Sequence, residues 1–118
     1  YAALFVLAAT AERGMPLLYT GQEAGLNRRL RFFEKDTVEW GGRPELARFY
    51  GRVFALKHSQ PALRNGAAGG RQAKLATEGA ERVYAFTRTQ GGSTVLVAVN
   101  LGDAPARVTY RGLARPGA

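Results

Sequence analysis

Gly14-Met15-Pro16-Leu17-Leu18-Tyr19-Thr20-Gly21-Gln22-Glu23-Ala24-Gly25 is the stretch on which the reading of the fold turns. Met15 to Tyr19 is continuously apolar. A strand with one wet face alternates apolar and polar residues, whereas an unbroken apolar run suggests a strand covered on both faces, as in a parallel sheet. Pro16 has no N–H to contribute to a ladder and fits only at the first position of such a strand. From Thr20 onward the chain turns polar and glycine-bearing, so the strand delivers its C-terminal end straight into a loop.

Working outward, Ala2 to Arg13 is apolar nearly all round (Leu4, Phe5, Val6, Leu7). Helices of that kind are buried within a larger protein. Gly14 stands where a C′ glycine would stop the helix, with Pro16 just beyond. On the other side, Thr20 to Arg43 is a long connection with Gly21, Gly25, Gly41 and Gly42, and loops of that length are uncommon unless functional. Pro44 is placed for the first turn of a second helix. Leu46, Phe49, Tyr50, Val53, Phe54 and Lys57 then follow the i, i+3, i+4, i+7 spacing, with the alkyl stem of Lys57 closing the stripe. The order helix, strand, long loop, helix is a piece of an alternating α/β architecture.

The character changes after Pro61. Gly66 to Gly70 is a small-residue linker, and strand signals follow. Arg82 to Thr89 alternates, with Val83, Ala85 and Thr87 on one face and Tyr84, Phe86 and Arg88 on the other. Gln90-Gly91-Gly92-Ser93 is a hairpin signal. Thr94 to Asn100 is a Val-rich strand, Asn100 to Asp103 a turn, and Arg107 to Tyr110 a further short strand. These segments predict an antiparallel meander within a β-sandwich. The expected organisation is therefore two units, residues 1–65 and residues 66–118.

The 118 residues are 46% hydrophobic and 22% charged, an ordinary globular composition that can build a core. The chain begins at Tyr1 and its one Met is Met15, so it is expected to be a piece of a longer polypeptide. The apolar opening is too short to span a bilayer and lacks the basic leader of a signal peptide. There are no cysteines, which excludes disulfides and thiolate metal sites. The net charge of +8 raises the question of a nucleic-acid interface. Its basic residues are mostly Arg and scattered, with only Arg28, Arg29 and Arg31 clustered, so the expectation is neither a nucleic-acid nor a membrane partner. Composition does not assign a compartment.

The segment Gly14 to Gly25 resembles the one carrying the eighth barrel strand of the α-amylase superfamily of glycoside hydrolases, roughly Gly-x-Pro-Leu-Ile-Tyr-x-Gly-x-Glu-x-Gly. Phe32-Phe33-Glu34-Lys35-Asp36-Thr37-Val38-Glu39-Trp40 resembles the loop that follows it. Leu46 through Ala55-Leu56-Lys57 to Pro61-Ala62-Leu63-Arg64-Asn65-Gly66 is similar to the last barrel helix and its exit. Val83-Tyr84-Ala85-Phe86 and Val97-Ala98-Val99-Asn100-Leu101 resemble the first hairpin of the C-terminal β domain. The resemblance implies an α/β barrel remnant, the end of a TIM-type (β/α)8 barrel, followed by an antiparallel β-sandwich-like domain. It also implies a parent enzyme acting on α-glucans with retention of configuration. A whole barrel needs about 250 residues.

Retaining glycosidases use two carboxyl groups about 5–5.5 Å apart. In the resembling family these come from earlier strands, and no residue here matches them, so no catalytic role is carried over and the isolated chain is expected to be inactive. Glu34 and Asp36 could be read as an acid/base pair, but loop acids beside Arg28, Arg29, Arg31 and Lys35 are more often salt-bridged or solvated. Glu23, directly after the strand, either supports the site from behind or fixes the loop through backbone hydrogen bonds. Tyr19 stands beside it as a supporting or core residue. Trp40, in a Gly-flanked loop, is the candidate glucan contact, against hydrophobic anchoring of the loop. His58, the single His, sits near a helix C-terminus. No metal or cofactor site is expected in the chain, with calcium possible in the parent. The expected partners are an α-glucan, the remainder of the barrel, and further copies of the isolated chain. Two rival readings are an α-glucan transglycosylase parent and a non-catalytic carbohydrate-binding or interaction module.

Overall fold

A computed structural model describes residues 1–113 as two helices and five short strands. Helix α1 (Ala2–Thr10) ends a turn before the expected Arg13. Its exit is a turn in which the Gly14 N–H donates to the Ala11 carbonyl at 2.9 Å. The left-handed position falls on Arg13 (φ 61°) and not on Gly14. Gly14 is needed for room: a Cβ there would lie 2.5 Å from the Ala8 carbonyl oxygen and 2.9 Å from that of Ala11.

Met15 to Tyr19 has no regular secondary structure and joins no sheet, despite its strand-like composition. Leu18 packs on the helical core, while Met15 and Leu17 are 77% and 79% exposed. The expected cover on both faces is therefore replaced by cover on one. The physical reason is the lack of neighbours: an extended segment becomes a strand only when another backbone pairs with it, and among the described residues none runs alongside.

Helix α2 (Pro44–Ser59) starts at Pro44 and carries Glu45 in its first turn and Lys57 and His58 in its last, in keeping with the helix dipole. Its stripe meets α1 in a cluster of aromatic edges. Phe5 packs against Tyr50 with ring centroids 4.7 Å apart, and against Phe54 and Phe49 at 5.9 and 6.2 Å. The other side of α1 covers the β hairpin, where Ala3, Val6 and Leu7 lie on Phe86, Val97 and Val99. This explains why α1 is apolar all round: it is the middle layer. It is α1, and not the amphipathic α2, that covers the hairpin.

Strands β1 (Arg71–Lys74), β3 (Val83–Gln90) and β4 (Ser93–Asn100) form an antiparallel sheet in the order β1-β3-β4. The β3–β4 hairpin pairs Phe86 with Val97 and closes at Gln90 opposite Ser93. The two loop residues, Gly91 and Gly92, have φ of 52° and 80°. Two successive positive φ values are what a type I′ hairpin turn requires. Strand β2 (Ala76–Glu78) instead pairs with β5 (Thr109–Arg111), with Thr77 opposite Tyr110. The arrangement is thus two antiparallel sheets and not one meander, compatible with a sandwich-like region. The expected strand from Arg107 begins at Thr109.

Two buried cations join these parts. The Lys57 Nζ donates to the carbonyls of Ala9, Gly14 and Leu63, each at 2.9 Å. The Arg88 guanidinium is fully buried and donates to Gly70, Thr10, Ala11 and Arg64 carbonyls at 2.9–3.1 Å. The acceptors are largely the orphan carbonyls at the end of α1 and of the 3-10 turn Pro61–Leu63, where cations are favoured. Burial, and then their mutual repulsion in the case of Lys57, pushes both cations below their ordinary pKa values.

Candidate functional site

The loop after Tyr19 is built by local hydrogen bonds. The Gln22 N–H donates to the Tyr19 carbonyl at 3.0 Å and the Leu26 N–H to that of Gly21 at 2.9 Å. Gly21 takes φ 91°, a conformation that disfavours any side chain. Glu23 accepts the Gly21 N–H on Oε2 at 3.1 Å and is half-buried. Gln22 is held at both ends: Oε1 accepts the Tyr19 N–H at 2.7 Å, and Nε2 donates to the Tyr1 hydroxyl at 2.7 Å. Tyr19 itself points away from the core and is 62% exposed.

Below this turn, Tyr50 is 1% exposed and its hydroxyl has no hydrogen-bond partner. Burial first, then the neighbouring Tyr1 hydroxyl and Glu23, pushes its ionisation well above the usual tyrosine range. The Tyr1 hydroxyl approaches it without hydrogen-bonding geometry. The sequence pattern marks Tyr50 as core, and gives no sign of an unpaired hydroxyl under the loop.

The second half of the loop is organised by Asp36. Arg28 grips its carboxylate with both terminal nitrogens, at 2.7 and 2.8 Å, and also donates to the Thr37 carbonyl at 2.6 Å. The Arg31 and Thr37 N–H groups donate to the same carboxylate at 3.0 and 2.8 Å. Arg28, followed by these two backbone donors, holds Asp36 far below the usual carboxylate range. A carboxyl so held is unsuited to donate a proton. Glu34 is paired with Arg31 at 2.7 Å on the surface. Both Asp36 and Glu34 are thus engaged by arginines, and the loop presents a hydrogen-bonded surface.

That surface is aromatic. Phe32 and Phe33 are 83% and 93% exposed and meet edge to face at 4.7 Å. A groove of about 380 Å³ runs between Tyr19, Gln22, Leu26, Arg29 and Phe32. Trp40 is also exposed but does not line it. The structure thus brings Tyr19 to a groove with Phe32, sets Glu23 into the adjoining turn, and leaves Trp40 outside it. Phe32 is the residue that sequence reasoning passed over. The signal for it was two adjacent aromatics inside a polar loop. Among the described residues no three His, Asp or Glu side chains gather as a metal site, and no helix is long and apolar enough to cross a membrane.

No family model matches the chain, and no solved structure matches it. Among curated proteins it is 34% identical over 97 residues to alpha-amylase MalA of Haloarcula japonica. The match covers 80% of this chain and 14% of that protein, so the chain spans about one seventh of the relative's length. The likeness is to an amylase-related region, and it takes in most of the helices, loop and sheets described above.

Proposed function

We propose that the chain is a region of an α-amylase-type glycoside hydrolase, supplying a substrate-facing loop to a catalytic centre that it does not itself contain. The observation that carries this is the amylase likeness over 97 residues, taken with a preorganised loop at the C-terminal end of Met15 to Tyr19. In barrel enzymes, active sites lie at the C-terminal ends of the strands. The bare side chains of Met15 and Leu17 support a parent in which that segment is an inner strand of a (β/α)8 barrel, with Tyr19 at its open C-terminal end. The parent's substrate is an α-glucan, its carboxylate pair comes from outside this chain, and its reaction retains configuration. Residues 66–118 are then the start of a C-terminal β domain. Trp40, exposed on the same loop, is an outer contact for long glucans, with Glu23 and Tyr19 holding the turn beside the site.

The test is maltoheptaose hydrolysis by the parent polypeptide, with the anomer of the first product read by proton NMR. Release of the α-anomer is expected. The β-anomer would overturn retention, and absence of any cleavage or glucosyl transfer would overturn the amylase-type reading. Transfer exceeding hydrolysis would instead identify a transglycosylase. In the same enzyme, Trp40→Ala should raise KM for long glucans about threefold or more, on the scale of a lost aromatic contact, with a smaller change in kcat. Unchanged kinetics would assign Trp40 to the packing of its own loop.

A further inference from the structure

We propose that the groove between Tyr19 and Phe32 is a binding subsite for a neutral sugar ring, with Phe32 as its principal wall and a determinant of how the parent holds its substrate. The inference rests on the α-glucan reading above and adds a site and a residue to it. Three observations carry it.

The first is the wall. Phe32 is a large aromatic left 83% exposed on a loop tip that is rigidly clamped, not frayed. Its neighbour Phe33 meets it edge to face from outside the groove. A preorganised apolar face loses little conformational freedom on binding. Opposite stands Tyr19, also exposed, and the two together offer the aromatic surfaces that the apolar faces of a pyranose can cover.

The second is the floor. Gln22 is locked between the Tyr19 N–H and the Tyr1 hydroxyl, so the groove keeps its shape without a ligand. Its volume, about 380 Å³, lies within the range of small-ligand sites.

The third is charge. The groove is lined by Arg28 and Arg29. Arg28 is neutralised by Asp36, and the neighbouring Arg31 by Glu34. That leaves the Arg29 guanidinium and the Thr20 hydroxyl to hydrogen-bond ligand oxygens. With the rest of the cluster paired, the groove is suited to the hydroxyls of a neutral ring more than to a polyanion.

The experiment is maltoheptaose titration of the 118-residue chain, followed by amide chemical shifts, with Phe32→Ala, Phe33→Ala and Tyr19→Ala alongside. Phe33 does not line the groove, and Phe32 is too exposed for its removal to disturb the core. Expected are shifts at Thr20, Gln22 and Arg29, a dissociation constant weakened about three- to tenfold by Phe32→Ala, a comparable loss in Tyr19→Ala, and little change in Phe33→Ala. Affinity should be insensitive to salt. Shifts confined to residues around Trp40, equal affinity for Phe32→Ala, or no binding by the wild-type chain would each overturn the subsite. So would affinity that collapses with added salt, which would mark an anion site. None of these touches the function reading, which stands or falls on hydrolysis by the parent.

Discussion

Arg88 and Lys57 are buried cations that form no salt bridge among the described residues, and together they collect seven backbone carbonyls. Arg88 reaches 78 residues back along the chain to Thr10. Stripping a buried carbonyl of its donor costs about 1–3 kcal/mol. Arg88→Met should therefore lower the unfolding free energy by more than ~2 kcal/mol in a urea titration. A loss within the ordinary surface range of about 0.5 kcal/mol would show that water replaces the guanidinium freely. Tyr50 behaves in the opposite sense. Its hydroxyl is buried and unpaired, so Tyr50→Phe should stabilise the fold by about 1 kcal/mol. The pH dependence has a definite sign. Tyrosines of the unfolded chain ionise near pH 10, while buried Tyr50 keeps its proton to higher pH. Stability is then indifferent to this group below that pH and falls as pH rises above it. Thermal unfolding between pH 9 and 11 should show the decline in the wild type and a shallower one in Tyr50→Phe. None of the three residues' roles was legible in the sequence. The stripe placed Tyr50 and Lys57 on the buried face, and alternation placed Arg88 beside Phe86. The carbonyls that receive the two cations are distant in sequence, and only tertiary structure brings them in.

At the scale of elements, the parts that carry their own signal were legible: α2 with its Pro44 start and apolar stripe, and the β3–β4 hairpin with its paired glycines. The 71–78 segment was not. Arg71-Gln72-Ala73-Lys74 and Ala76-Thr77-Glu78 are polar and short, and become β1 and β2 only by pairing with β3 and β5. Met15 to Tyr19 failed in the opposite way, since its strong strand composition meets no partner. In the loop, the Gly-rich turn and Glu23 were visible, whereas the Phe32 groove depends on the Arg28–Asp36 clamp folding the tip back toward Tyr19. That clamp has its own pH signature. Because Asp36 is depressed in the folded state, its contribution is fully present above about pH 4, the ordinary carboxylate value, and is lost as pH falls below it. Amide protection across residues 28–37, taken relative to the intrinsic exchange rate at each pH, should be present at neutral pH and fall in acid. In Asp36→Asn it should be low at both. Equal exchange in the two proteins would mean that backbone turns alone hold the loop.

For the molecule as a whole, α1 is the middle layer that lets helices and sheets share a core, and the uncovered surface lies on the other side of Met15 to Tyr19. Met15, Leu17 and Leu4 all project from the described structure. An apolar patch beyond a few hundred Å² is rarely left bare in a monomer, and an extended backbone without partners is a template for pairing. The isolated chain should therefore self-associate, as a two-fold dimer if ordered, when passed through size exclusion with light scattering. A sharp monomer at the highest soluble concentration would refute that. The central claim is that this bare segment is an inner strand of a larger amylase-type catalytic unit. Hydrogen exchange at Met15, Leu17 and Leu18, compared between the isolated chain and its parent polypeptide, tests it most directly. The account predicts rapid exchange in the dilute isolated chain and protection near the global limit in the parent. Equally rapid exchange in both would place Met15 to Tyr19 on the surface of the parent and contradict the account.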